Sequence, residues 1–168
     1  MSAPRIVVMG PSGSGKTAVG AALAVDFGVG FVDADDLHPA ANVAKMASGS
    51  PLDDNDRWPW LDLVGAELTR NAGLVVACSA LARRYRERIV AAEPSTIFVE
   101  LLVSRDELDR RMRSRQHFMP PALLDSQLTT LQHLEPDEPG VRVENVQGVI
   151  QTAGRARSAL DAYLSRTR

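Results

Sequence analysis

Residues 5–17 read Arg5-Ile6-Val7-Val8-Met9-Gly10-Pro11-Ser12-Gly13-Ser14-Gly15-Lys16-Thr17. The apolar run up to Met9 predicts a buried strand. The glycine-rich turn after it cannot be regular structure. From Lys16 to Phe27 the apolar residues Val19, Ala22, Leu23 and Phe27 return at helical spacing. Strand, turn and helix together fit G-x-x-x-x-G-K-[ST], a phosphate-binding loop. Its glycines let main-chain N–H groups curl around phosphate oxygens, and the helix N-terminus adds partial positive charge. Gly10, Ser12, Gly13, Ser14, Gly15, Lys16 and Thr17 are therefore the expected nucleotide-phosphate site. Lys16 is expected to reach the β- and γ-phosphates, and the Thr17 hydroxyl to ligate Mg²⁺. The glycines at 10, 13 and 15 do not have the G-x-G-x-x-G spacing of a dinucleotide site.

The same alternation continues to the end of the chain. Apolar strands are predicted at residues 31–33, 74–78, 96–103 and 141–146. Helices are predicted at 81–92, 105–115, 122–131 and 149–164. Residues 37–71 read as helical but divided by Pro39, the Gly49-Ser50-Pro51 turn and Pro59. Strands alternating with helices predict an α/β fold: one parallel sheet with helices on both faces, in three layers. With no repeat or linker, residues 1–168 read as a single domain. Two stretches look like insertions over the sheet, about 37–71 and about 116–140.

Composition narrows the function. The 168 residues carry 19 Lys plus Arg against 21 Asp plus Glu, a net charge of −2, without the basic surplus of a nucleic-acid binder. Only Lys16 and Lys45 are lysines. A lysine kept where every other base is arginine points to a need for a compact ammonium on a flexible stem. The single cysteine, Cys78, excludes an internal disulfide and a cysteine-built zinc site. No apolar run approaches a membrane span, and no secretory leader precedes Gly10, so a reduced cytoplasmic protein is expected.

Among phosphate-loop classes, a GTPase would need an Asn-Lys-x-Asp element, and none exists. A transport or motor ATPase would end a core strand on an acidic residue, whereas the third strand ends Ala77-Cys78-Ser79. The acidic pair that directly follows a strand is Asp33-Ala34-Asp35, at the sheet edge where open α/β folds bind ligands. That leaves a small-molecule kinase. One carboxylate would order Mg²⁺ waters, and the other would accept a proton from an acceptor hydroxyl. Asp53-Asp54-Asn55-Asp56-Arg57-Trp58 reads as a helix start in which Asp54 or Asp56 caps.

These segments resemble the phosphate-loop gluconokinase family. The matching text is Gly10 to Thr17, Asp33-Ala34-Asp35-Asp36-Leu37-His38-Pro39, Asn42, the long run Lys45 to Leu61, Cys78-Ser79-Ala80-Leu81, Tyr85-Arg86, His117-Phe118-Met119-Pro120, Leu124 to Gln127 and Thr130-Leu131. The resemblance implies ATP-dependent phosphorylation of D-gluconate at its 6-hydroxyl. It also implies a nucleoside-monophosphate-kinase-like core with an acceptor-binding insertion and a lid, and a homodimer. An anionic polyol calls for cations and mixed donors. Arg57 and Arg86 suit its carboxylate, and Asp35, His38, Lys45, Ser79, His117 and Gln127 suit its hydroxyls.

Asp35 is the expected base, and Asp33 is expected to act through Mg²⁺ waters. Arg111 and Arg115, four apart on one helix face, are expected to stabilise transferring charge. Arg83, Arg84 and Arg88 read as a solvated face, and His133 as structural or solvent-exposed. The chain departs from the family at Ala82, where Lys is usual, in a lid motif one residue shorter (Arg115-Gln116-His117-Phe118), and at Leu128. The alternatives are a kinase of another sugar acid or of shikimate, and a nucleotide-binding regulator that senses gluconate.

Overall fold

The computed structural model describes residues 3–114 and 121–167. Five strands form one sheet in the order β2-β3-β1-β4-β5. They are β1 (Arg5–Met9), β2 (Gly30–Asp33), β3 (Leu74–Ala77), β4 (Thr96–Leu102) and β5 (Gly140–Glu144). Every pairing is parallel, with Val8 level with Ala77 on one side and Met9 level with Glu100 on the other. Among the described residues seven helices accompany them: α1 (Lys16–Phe27), α2 (Ala40–Ala47), α3 (Asp54–Arg70), α4 (Arg83–Ala92), α5 (Arg105–Ser114), α6 (Pro121–Thr130) and, after β5, α7 (Val149–Arg166). A 3₁₀ turn, Ala34–Leu37, follows β2. No helix among the described residues is long and apolar enough to cross a membrane.

The three layers follow from the alternation of side chains along each strand. Ile6 and Val8 point to one face and pack with Val19 and Leu23 of α1 and Ala156 and Leu160 of α7. Val7 and Met9 point to the other and pack with Leu61, Val64 and Leu68 of α3 and Ile89 of α4. Both faces of β1 are fully buried, which is why its sequence is continuously apolar. The chain passes from β1 to β2 on one side and later to β4 on the other. The crevice at the carboxyl end of β1 is thus the switch point where such sheets bind ligands.

Residues 37–71 differ from the expected insertion. Their second part is no insertion, because Leu61, Val64 and Leu68 make α3 a core helix. Pro59 does not divide α3 but lies inside it. The carbonyl it leaves unbonded, at Asn55, lies on the exposed side of the helix, where water can replace the missing bond. Asp53, rather than Asp54, is the N-cap. Its carboxylate accepts from Asp56 N (2.9 Å), and Asp56 reciprocates on Asp53 N (2.9 Å). Helix α4 starts at Arg83 rather than 81, because Ala80 adopts a left-handed φ of 42° and Ala82 is extended.

Candidate active site

The phosphate loop curls between β1 and α1. Gly13 and Gly15 have φ of 84° and 89°, a region that L side chains rarely adopt, and a Cβ on Gly15 would meet Asn145 Nδ2 at 2.4 Å. The loop is held from behind. Asn145 Nδ2 donates to Ser14 O (2.7 Å), and Arg111 donates to Gly13 O (3.1 Å) and Asn145 O (2.8 Å). Asn145 is itself oriented by Thr152 Oγ1 (2.8 Å). Lys16 is only 8% exposed, yet no carboxylate lies within ion-pair distance of it among the described residues. A buried ammonium without a protein counter-ion is costly and suits an anionic ligand.

Thr17 Oγ1 donates to Asp33 Oδ2 (2.7 Å), and Asp33 Oδ1 accepts from Asp35 N (2.9 Å). The first aspartate of the pair thereby caps the 3₁₀ turn and sets the second at the rim of a cavity. A hydroxyl beside one carboxylate suits Mg²⁺, which keeps several waters and takes few protein oxygens beside phosphate. No cluster of three or more His, Cys, Asp or Glu that could cage a metal occurs among the described residues.

The cavity measures about 310 Å³ and runs from Ser12 and Lys16 to Arg57. Asp35, His38, Ser79 and Gln127 line it with them. His38 stacks on Trp60 (4.1 Å between ring centroids, 14° between planes), and Trp60 Nε1 donates to Ala34 O (2.7 Å). Asn42 Nδ2 lies 3.3 Å from His38 Nδ1, so Nδ1 accepts and Nε2 carries the proton. Burial lowers the His38 pKa below 6.5; Asp35 opposes this and Arg57 adds to it. The neutral ring therefore offers a donor at pH 7. Because the unfolded chain binds this proton more readily, stability declines as pH falls through the ordinary histidine range and is fully present above it. His38→Gln should flatten that slope between about pH 7 and 5, read as Tm by calorimetry.

Arg57 donates to Tyr85 Oη (2.8 Å) and has no carboxylate within ion-pair distance among the described residues. Tyr85 Oη instead donates to Asp54 (2.5 Å). The Arg84 guanidinium, then Tyr85, hold the Asp54 carboxyl down at about 2. Asp54 is thus spent on Arg84 and Tyr85, while Arg57 keeps guanidinium N–H groups for the cavity.

Two expected acceptor ligands, Arg86 and Lys45, lie away from the cavity. Arg86 is 1% exposed and faces Glu138 (2.6 and 2.9 Å), with Nη1 donating to Ala80 O (3.0 Å) and Leu81 O (3.3 Å). It holds the turn that carries Ser79 and does not reach the cavity. Lys45 Nζ is bonded to Asp56 Oδ2 (2.6 Å), which raises its pKa, and it braces the cap of α3 instead of lining the cavity. Arg111, expected to stabilise transferring charge, instead donates from its guanidinium to Glu107 (2.8 Å), Gly13 O and Asn145 O and does not line the cavity. Arg115 and His117 lie outside the described residues.

Arg83 turns outward to Glu87, Glu135 and Asp137 and supplies no cation in place of the Lys expected at Ala82. Arg84 and Arg88 pair with Asp54 and Asp62. His133 lies against buried Glu100. Cys78 is buried with its thiol pushed up to about 12, too high for a nucleophile. Trp60 belongs to the family-matching run Lys45 to Leu61, whereas Asn145 is not singled out by the sequence. Asn145 falls inside the strand read at 141–146, which ends at Glu144 in the structure.

A family described as an AAA domain matches residues 6–134. The gluconokinase of Gluconobacter oxydans (strain 621H) is 47% identical over 146 residues, covering 83% of this chain and 82% of that protein. A probable gluconokinase of Xenopus tropicalis is 44% identical over 147 residues, covering 76% and 77%. The crystal structure of a gluconokinase from Sinorhizobium meliloti 1021 superposes with a TM-score of 0.87 at 41% identity, covering 96% of this chain and 97% of that one. With a phosphate loop, an acidic pair and an acceptor-sized cavity in one crevice, and relatives this similar over most of its length, the chain belongs to the gluconokinase family.

Proposed function

We propose that the protein transfers the γ-phosphoryl group of ATP to the 6-hydroxyl of D-gluconate. The observation that carries this reading is the pairing, in one cavity, of two cations without carboxylate partners among the described residues, Lys16 and Arg57. Lys16 belongs to the phosphate loop and suits the nucleotide. Arg57 suits the carboxylate of the acceptor. Asp35 lies on the same cavity and takes the proton from the acceptor hydroxyl. The hydroxyl oxygen then bonds to the γ-phosphorus, the bond to the β–γ bridging oxygen breaks, and ADP leaves.

His38 Nε2–H and Ser79 orient further hydroxyls. Thr17 and Asp33, the latter through water, would hold Mg²⁺, which when bound neutralises charge on the β- and γ-phosphates. Arg111 steadies the loop carbonyl at Gly13. The stretch expected as a lid, 116–140, is not one throughout, because Leu134 packs in the core, Glu138 pairs with Arg86 and Gly140 opens β5. Arg115 and His117 are assigned to ligand contact, and the enzyme works in the cytoplasm as a homodimer. The single buried thiol suits that reduced compartment.

Purified protein with MgATP, offered gluconate, other aldonates, shikimate and nucleoside monophosphates, should release ADP fastest with gluconate. Absence of acceptor-stimulated release would sink the kinase reading, and preference for shikimate would sink the acceptor assignment. Arg57→Ala should raise the gluconate KM about 10–100-fold, the worth of a hydrogen bond to a charged group. It should leave the ATP KM within about threefold and narrow the preference for gluconate over uncharged sorbitol. An unchanged preference would remove Arg57 from the carboxylate site.

A further inference from the structure

Helix α6 carries Leu123, Ser126 and Gln127 on one face, and all three line the cavity shared with Asp35 and Arg57. Gln127 also reaches the phosphate loop. Its Oε1 accepts from the Ser12 main-chain N–H (2.7 Å), and its Nε2 donates to Ser12 Oγ (3.2 Å). Both ends of one carboxamide thus bond to one residue of the loop. Among the described residues of α6, Gln127 alone is hydrogen-bonded to that loop.

The chain beyond the helix is fixed to the body of the molecule. Gln132 N donates to Leu81 O (2.8 Å), the Gln132 side chain accepts from Arg83 N (2.9 Å), and Leu134 N donates to Glu100 Oε2 (2.9 Å). The helix is therefore anchored beyond its C-terminal end and bears on the phosphate loop through Gln127. Ser12 lies in the loop whose N–H groups address the nucleotide phosphates. A displacement of Ser12 moves the Gln127 carboxamide, and with it the cavity wall formed by Leu123 and Ser126.

We propose that Gln127 is a positioning residue that couples nucleotide binding at the phosphate loop to acceptor affinity in the cavity. This rests on the gluconate reading above. Coupling is reciprocal, so each ligand changes the affinity for the other by the same factor. Calorimetric titration of the full chain measures it. The gluconate Kd is determined with and without a non-hydrolysable ATP analogue and Mg²⁺, for the wild type and for Gln127→Leu.

In the wild type the analogue should tighten gluconate at least about fivefold, the lower end of typical couplings. In Gln127→Leu the ratio of the two Kd values should fall to about one. Any loss of affinity common to both states, from a generally loosened structure, cancels in that ratio. Gln127→Met, which keeps the side-chain length, should behave as Gln127→Leu does.

A residue that only binds gluconate would weaken both Kd values equally and keep the wild-type ratio, and that outcome overturns the coupling role. A wild-type ratio of one overturns it as well. A wild type that binds the analogue but no gluconate sinks the acceptor reading, and this proposal with it.

Discussion

Asp35→Asn should lower kcat about 10²–10⁴-fold, the range for removing a general base, while the protein still binds ATP. Asparagine keeps the shape of the side chain and its acceptor oxygen but cannot take the acceptor's proton. The main chain at Asp35 is held by Asp33 Oδ1 (2.9 Å), not by its own carboxylate, so the substitution leaves the turn intact. Its neighbour His38 already accepts on Nδ1 from Asn42 and does not compete for the role. Steady-state kinetics and nucleotide titration of the same preparation separate the two effects. A kcat within tenfold of wild type would remove Asp35 as base.

The second large effect is on stability. Glu138→Ala should cost about 3–5 kcal/mol, because it strands the Arg86 guanidinium in a site 1% exposed. That corresponds to a fall in Tm of roughly 6–20 °C for a chain of this size. Burial raises the Glu138 pKa, but Arg86 and the Glu135 N–H outweigh it and keep the carboxyl below its usual range. The pair is therefore charged at neutral pH. Replacing both partners by apolar residues, as in Arg86→Met with Glu138→Leu, should recover much of the loss, since no buried charge is then left alone. Activity should not recover with it, because Arg86 also holds the carbonyls of Ala80 and Leu81, next to Ser79 in the cavity wall. Calorimetry shows the first result and gluconate kinetics the second. A Tm unaffected by Glu138→Ala would show that the pair contributes nothing.

What could be read from the sequence was local. Five apolar runs announced five strands, since a parallel sheet buried on both faces leaves little freedom in composition. The phosphate loop and the Asp33–Asp35 pair were legible because each function sits within a few residues of chain. Arg86 and Lys45 were misplaced for the opposite reason. A cation in a family motif looks alike whether it faces ligand or protein, and what decides is its partner. For Arg86 the partner is Glu138, 52 positions away, and for Lys45 it is Asp56, 11 away. Pro59 looked like a break because sequence does not tell which carbonyl faces water.

The position of β1 also has a consequence for how the molecule comes into being. Its sheet partners are β3 and β4, so β1 has no ladder until the chain reaches Leu74–Ala77 and is flanked on both sides only at Glu100. The loop carbonyls of Gly13 and Ser14 accept from Arg111 and Asn145, 98 and 131 positions further along the chain. During synthesis, which proceeds from the N-terminal side, the phosphate-loop motif is thus made well before the residues that hold it in shape. A prematurely ended chain would carry the whole phosphate-loop motif and still be unable to shape it. A nucleotide that binds the native state lends its stabilisation only where that loop has been shaped.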